Sequence, residues 1–280
     1  MPKLNGISYM ILSSISFALV NLCVKFLHHI PVNELIFFRS IISLSISYVI
    51  IKKANIPFFG NNRSWLIGRG IFGVTALTMF FSTIKSIPIA SATTIQYLSP
   101  IFTVIFAMFL LKEKIKPYQW LLFLVAFCGV LLIKGFDNQL ETKYVLLGIG
   151  SAFCSGIAYN CIMKCRETDK PITVVMYFPL IATPVMGIWC LFDWKTPEGI
   201  EWLLLLFIGF MTQIAQLTMT KALHSESSSK IMPIKYIGAI WAIIIGYTVF
   251  DERLNYVTMI GIFLVLLGVV TNTLIKSKSQ

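Results

Sequence analysis

The chain has 280 residues, of which 57% are hydrophobic and only 12% charged, about half the charged share of a soluble domain. So little charge cannot coat a water-soluble surface, so the solvent expected for this chain is a lipid bilayer. The formal net charge of +11 raises a nucleic-acid partner, which the distribution of that charge then argues against.

A membrane-spanning helix needs about 20 predominantly apolar residues. Ten such segments follow one another at about 4–27, 33–51, 66–85, 90–111, 118–134, 145–164, 172–191, 200–221, 228–249 and 255–275. They nearly fill the chain and leave no room for a soluble catalytic domain. The first starts directly after Met-Pro-Lys, lacks a small-residue cleavage site and carries Asn21 and Lys25 near its far end, so a retained helix is expected rather than a removed signal peptide. The second holds Arg39, about six residues in, whose planar fork suits a carboxylate; an ion pair with Glu34 is the structural alternative. The fourth places Gln96 and Tyr97 beside the helix breaker Pro100. Polar groups and freed backbone at that depth are tolerated where helices line a cavity. The sixth carries Tyr159 and Asn160. The eighth carries Gln213 and Gln216, three apart and so on one face. The ninth carries Lys235 behind Pro233, then Tyr236 and Trp241. Lys235 lies roughly 10 Å deep at 1.5 Å per residue. It is read as a fixed cation for a substrate carboxylate or phosphate, with snorkelling to the surface as the alternative.

With both termini placed in the cytoplasm, fifteen lysines and arginines fall on the inner side, Arg69 among them, and six on the outer side. That asymmetry follows the positive-inside rule, so the basic charge sets topology rather than marking a polyanion site. The six cysteines lie in or beside helices without a completing set of metal ligands and read as small apolar fillers. No cofactor or metal is expected.

The stretch around Tyr97 recurs. Tyr97 and Tyr236, Glu113 and Glu252, Gly129 and Gly268, Asn21 and Asn160, and Lys25 and Lys164 all pair at one offset of 139 residues, without a gap. The chain therefore divides into two units, 1–139 and 140–280. Each has five helices, an odd number, so the second enters the membrane from the opposite face. Inverted repeats of this kind are built into secondary transporters. Inversion would set Tyr97 and Tyr236 on opposite sides of a central cavity. Lys25 and Lys164, at helix ends, are expected to anchor rather than bind. Glu113 and Glu252 are expected to pair with neighbours such as Arg253 or to satisfy helix N-terminal amides.

In these features the chain resembles the drug/metabolite transporter superfamily, in its ten-helix group built from two EamA repeats. The first helix ends "FALVNLCVKF" and the second contains "FFRS". The third-to-fourth junction reads "STIKSIPIASATTIQYLSPIFTVIFAMFLLKEKIKPYQW", and "GVLLI" closes the fifth helix. The second half answers with "TKALHSESSSKIMPIKYIGAIWAIIIGYTVFDERL" and "GIFLVLLGVV". It departs where Gly238 and Ala239 replace Ser99 and Pro100, and where Phe178 replaces Arg39. The resemblance implies an all-α membrane protein of ten helices. Its expected role is to move small metabolites by alternating access across a bacterial inner membrane.

The expected substrate-binding residues are Arg39, Gln96, Tyr97, Tyr159, Asn160, Gln213, Gln216, Lys235, Tyr236 and Trp241. Every acidic residue falls in a loop or at a helix end, which favours a zwitterionic or anionic solute, such as an amino acid, over a multivalent cation. Nucleotide-derived or cofactor-like solutes such as S-adenosylmethionine are the second choice. An intramembrane enzyme lacks clustered catalytic groups, and no phosphate-binding loop for ATP is present. A non-transporting sensor is the remaining class. Gly129 and Gly268 serve either intramolecular helix packing or a homodimer.

Overall fold

The computed structural model describes residues 6–110, 117–135, 141–225, 234 and 236–278. Lys235, the best single candidate from the sequence, lies outside the described residues, as do Glu113 and Pro233.

Among the described residues the chain forms helices joined by short connections, with no strand. In order it forms α1 (Gly6–Phe26), α2 (Val32–Lys53), α3 (Arg63–Ser86), α4 (Ile89–Gln96), α5 (Ser99–Leu110), α6 (Pro117–Gly135), α7 (Thr142–Lys164), α8 (Pro171–Cys190), α9 (Glu201–Ser225), α10 (Ile237–Phe250) and α11 (Tyr256–Lys278). Among the described residues, seven helices or helix pairs are long and apolar enough to cross a membrane, counting α4 and α5 as one span; α6, α10 and α11 contribute shorter apolar stretches. Apolar side chains on the outside confirm the nature of the solvent: Leu121, Leu124, Leu131, Leu203, Ile188 and Phe263 are all exposed. The interior, by contrast, holds buried polar residues such as Ser43, Ser47, Asn160 and Gln213. This reverses the soluble pattern, because lipid accepts apolar side chains and satisfies no polar ones.

The expected fourth span is two helices. Pro100 has no N–H and its ring crowds the carbonyl four residues back. The chain therefore turns at Tyr97 and Leu98: Tyr97 N–H donates to Thr93 O and Thr94 O, Leu98 N–H to Ile95 O, and α5 starts anew at Ser99. The break falls beside the central cavity.

Helix pairing follows small residues. Helix α6 packs along α11, where a methyl group on Gly129 would sit 2.6 Å from Gly261 O and one on Gly268 would sit 2.6 Å from Leu122 O. Of the two roles open to these glycines, the intramolecular one is the packing observed. Elsewhere α1 packs on α9, α3 on α7, α2 on α8, α2 on α9 and α3 on α8.

Two ends of the bundle can be told apart. At one end, Asp169 accepts from Asn61 N at 2.6 Å and Asn62 N at 3.2 Å, tying the α2–α3 and α7–α8 connections together. Gly60 takes a left-handed φ of +61 there, and a side chain on it would meet that carboxylate. This end carries the α1 N-terminus. The opposite end carries the α1 C-terminus, where Lys25, Lys85, Glu34 and Glu252 gather.

Candidate functional site

A cavity of about 160 Å³ lies in the middle of the bundle, walled by α1, α2, α3, α4, α7, α8, α9 and α10. Two arginines dominate its chemistry. Arg39 comes from α2 and Arg69 from the second turn of α3, at 2% and 5% exposure. The ring of Phe178 on α8 takes both: the Arg39 guanidinium carbon is 5.0 Å from its centroid and that of Arg69 is 5.6 Å. Arg39 also lies 5.7 Å from the Phe81 ring. Cation–π contacts of this kind are strongest when desolvated.

These contacts do not neutralise the charges. No Asp or Glu lines the cavity among the described residues. Arg69 Nη2 donates to Gln216 Oε1 at 3.2 Å, a neutral acceptor. Arg39 Nε, Arg39 Nη1 and Arg69 Nε have no hydrogen-bond partner among the described residues. Each guanidinium at membrane depth costs about 2.5–3.5 kcal/mol on insertion scales, so the pair costs roughly 5–7 kcal/mol. Ser14 Oγ and Thr93 Oγ1, also in the wall, are unpartnered on the same terms.

Arg69 is the residue the sequence reading missed. Counted with the inner-side positive charges, it is instead buried in the span. The signal was present in Gly73, one turn on: a methyl group there would collide with the Arg69 guanidinium and sit 2.8 Å from Phe178. A glycine four residues after an arginine leaves the side chain a channel along its own helix.

Arg39 does not pair with Glu34. Glu34 sits one turn nearer the α2 N-terminus, where its Oε2 accepts from Lys195 N at 3.0 Å. Arg39 is thereby left to the cavity.

The other expected residues divide. Gln96, Tyr97, Tyr159 and Gln216 line the cavity with Arg39. The Gln96 amide is already engaged by α7, accepting from Ser151 Oγ and donating to Ser155 Oγ, both at 2.8 Å. Tyr236 is not across the cavity from Tyr97: the two rings meet edge to face with centroids 5.1 Å apart, Tyr97 at the end of α4 and Tyr236 at the start of α10. Asn160, Gln213, Tyr236 and Trp241 are not in the wall. Asn160 Nδ2 donates to Thr103 O at 3.0 Å and Gly156 O at 2.9 Å, clamping α7 to α5. Gln213 accepts from Ser43 and donates to Ser47 Oγ at 2.9 Å, clamping α9 to α2. Asn21, 139 residues before Asn160, does line the cavity.

One helical turn beyond Asn21, Lys25 forms an ion pair with Glu252 and donates to Ile87 O at 2.9 Å. Glu252 Oε2 accepts from Ile89 N at 2.9 Å. The expected neighbour Arg253 pairs instead with Asp251 at 3.6 Å, because Asp251 takes a left-handed φ of 48 that swings Glu252 inward. The cluster joins α1, the α3–α4 turn and the α10–α11 turn over one end of the cavity. Lys164 has a different anchor, lying 5.8 Å from the Trp65 ring.

A bundle of apolar helices around a cavity that holds two buried arginines, with a broken helix beside it, is the build of a membrane carrier. The EamA-like transporter family model matches residues 4–135 and 142–274, and the chain belongs to that family. The pseudopaline exporter of Pseudomonas aeruginosa is 28% identical over 260 residues, covering 92% of each chain. The S-adenosylmethionine uptake transporter of Rickettsia felis is 26% identical over 275 residues, covering 94% of this chain and 90% of its own. A solved crystal structure shares the fold, with a TM-score of 0.67 at 17% identity over 96% of this chain and 98% of that one. The chain is thus a small-molecule transporter of the drug/metabolite superfamily and not an enzyme.

Proposed function

We propose that this transporter is a secondary carrier that moves a small organic solute bearing an acidic group, anionic or zwitterionic, by alternating access. The observation that carries the reading is the pair of buried guanidiniums of Arg39 and Arg69, held on one ring with N–H groups that find no partner among the described residues. Buried charge of one sign is stabilised by a ligand of the other.

Alternating access by exchange of two inverted units, 1–139 and 140–280, is supported by the packing. The α1–α9 and α3–α7 contacts exchange under the 139-residue offset, as do α2–α9 and α3–α8. Arg39 faces Phe178 and Tyr97 faces Tyr236, each pair 139 residues apart, as residues beside a two-fold axis would. The charge asymmetry supports a cell inner membrane location with both termini cytoplasmic.

The name of the Rickettsia felis relative favours S-adenosylmethionine as a second reading. Against it, a sulfonium and an ammonium would find two cations and no described carboxylate in the wall.

Counterflow in liposomes holding only the purified protein tests the proposal, with pooled amino acids, organic acids, nucleotides and cofactors preloaded in turn. Uptake of an acidic solute is expected, falling at least tenfold in Arg39→Gln with an unchanged melting temperature. Flux of no pool, or full flux in that variant, would overturn it.

A further inference from the structure

Resting on that reading, we infer that the solute carries two negative charges on one small body, as a dicarboxylate or a phosphate monoester does, and not the single carboxylate of a zwitterionic amino acid. The inference comes from counting charges and donors in the cavity. Two guanidiniums enter it from different helices and sit against the same Phe178 ring, at 5.0 and 5.6 Å. Each keeps at least one N–H without a hydrogen-bond partner among the described residues. Among the described residues, the side-chain acceptor that Arg69 meets is the neutral Gln216. A lone carboxylate satisfies one guanidinium fork and leaves the second charge buried and uncompensated. Two acidic groups on one molecule, or one doubly ionised phosphate, reach both.

A zwitterion is disfavoured by the same wall. Its ammonium would need a carboxylate, and none lines the cavity among the described residues. The hydroxyls of Ser14 and Thr93 offer neutral oxygens only. Size points the same way: about 160 Å³ is close to the roughly 150 Å³ of an engineered cavity that holds benzene. The body between the acidic groups is therefore a few carbons or one ring, and the aromatic side chains of Phe17 and Phe80 in the wall suit an apolar one.

The experiment uses matched pairs differing by one charge: succinate against monomethyl succinate, and phenyl phosphate against methyl phenyl phosphate. At pH 8 a phosphate monoester is doubly ionised. Binding is read as the ligand-dependent rise in melting temperature of the purified protein, and competition is read in the counterflow assay on the same preparation. The doubly charged member of at least one pair should bind at least tenfold tighter than its ester, and the pair that shows this separates a dicarboxylate from a phosphate. Arg39→Gln and Arg69→Gln should each bring the two members level while keeping the singly charged one, and Arg39→Lys, which retains the charge, should keep most of the preference. Binding of the singly charged members, or of an amino acid, as tight as that of the doubly charged ones or tighter, in a protein that still carries solutes, would overturn the inference and leave the carrier standing. Binding of neither pair would overturn it as well. Loss of all flux would instead remove the reading beneath it.

Discussion

Replacing Lys25 by methionine should open the cavity at the end carrying the α1 C-terminus. Lys25 and Glu252 are 15% and 11% exposed, so their attraction is only partly screened. Removing one partner of a fully buried pair costs about 3–5 kcal/mol. Here Glu252 keeps its bond from Ile89 N and some solvent contact, so about 2 kcal/mol is the working figure for the closed arrangement. At 1.4 kcal/mol per tenfold, that is a shift of roughly 30-fold toward the open one. The reporter is a cysteine at Ala18 in a protein otherwise free of cysteine. Ala18 is 8% exposed, lines the cavity and lies two turns below Lys25 on the same helix. A membrane-impermeant maleimide added from the Lys25 side should label it roughly 30-fold faster in Lys25→Met. Glu252→Gln should behave alike, and the double variant should add nothing further, since both single changes break one interaction. Unchanged labelling in a folded Lys25→Met protein would refute the assignment of this cluster as a closure.

Gly129→Leu should destabilise the bundle by about 1–3 kcal/mol, because its side chain would run into Gly261 O; a lowered melting temperature in detergent checks this. Gln213→Leu should cost about 1 kcal/mol through the lost clamp to Ser43 and Ser47 while leaving the KM for the carried solute unchanged, since Gln213 is outside the cavity wall. Pro100→Ala should let α4 and α5 run on as one helix, leaving melting temperature equal or higher while counterflow falls; flux at the original rate would show that the break has no part in transport.

Much of this helical architecture is legible in the sequence, and the reason is the solvent. In a bilayer an apolar run of sufficient length must become a helix, since no other open structure satisfies its backbone. Segment positions such as 172–191 against Pro171–Cys190 therefore follow from hydropathy alone. Pro100 announced the broken fourth span, although the expectation drew it as one helix. The site was legible only in part. Arg39, Gln96, Tyr97, Tyr159 and Gln216 were found because polar residues stand out against an apolar background. The same rule picked out Asn160 and Gln213, which the fold spends on clamps between helices. A polar residue inside a membrane needs a partner, and the sequence does not say whether that partner is a neighbouring helix or a solute.

What the sequence determined by itself is the solvent and the helix spacing, because these depend on composition and local pattern. Only the tertiary structure decided that Arg69 is buried in the bundle to share one phenylalanine with Arg39, and that Lys25 reaches across the chain to Glu252. Those outcomes depend on which helix faces come together around the cavity, and two residues 227 positions apart become neighbours only when the bundle closes.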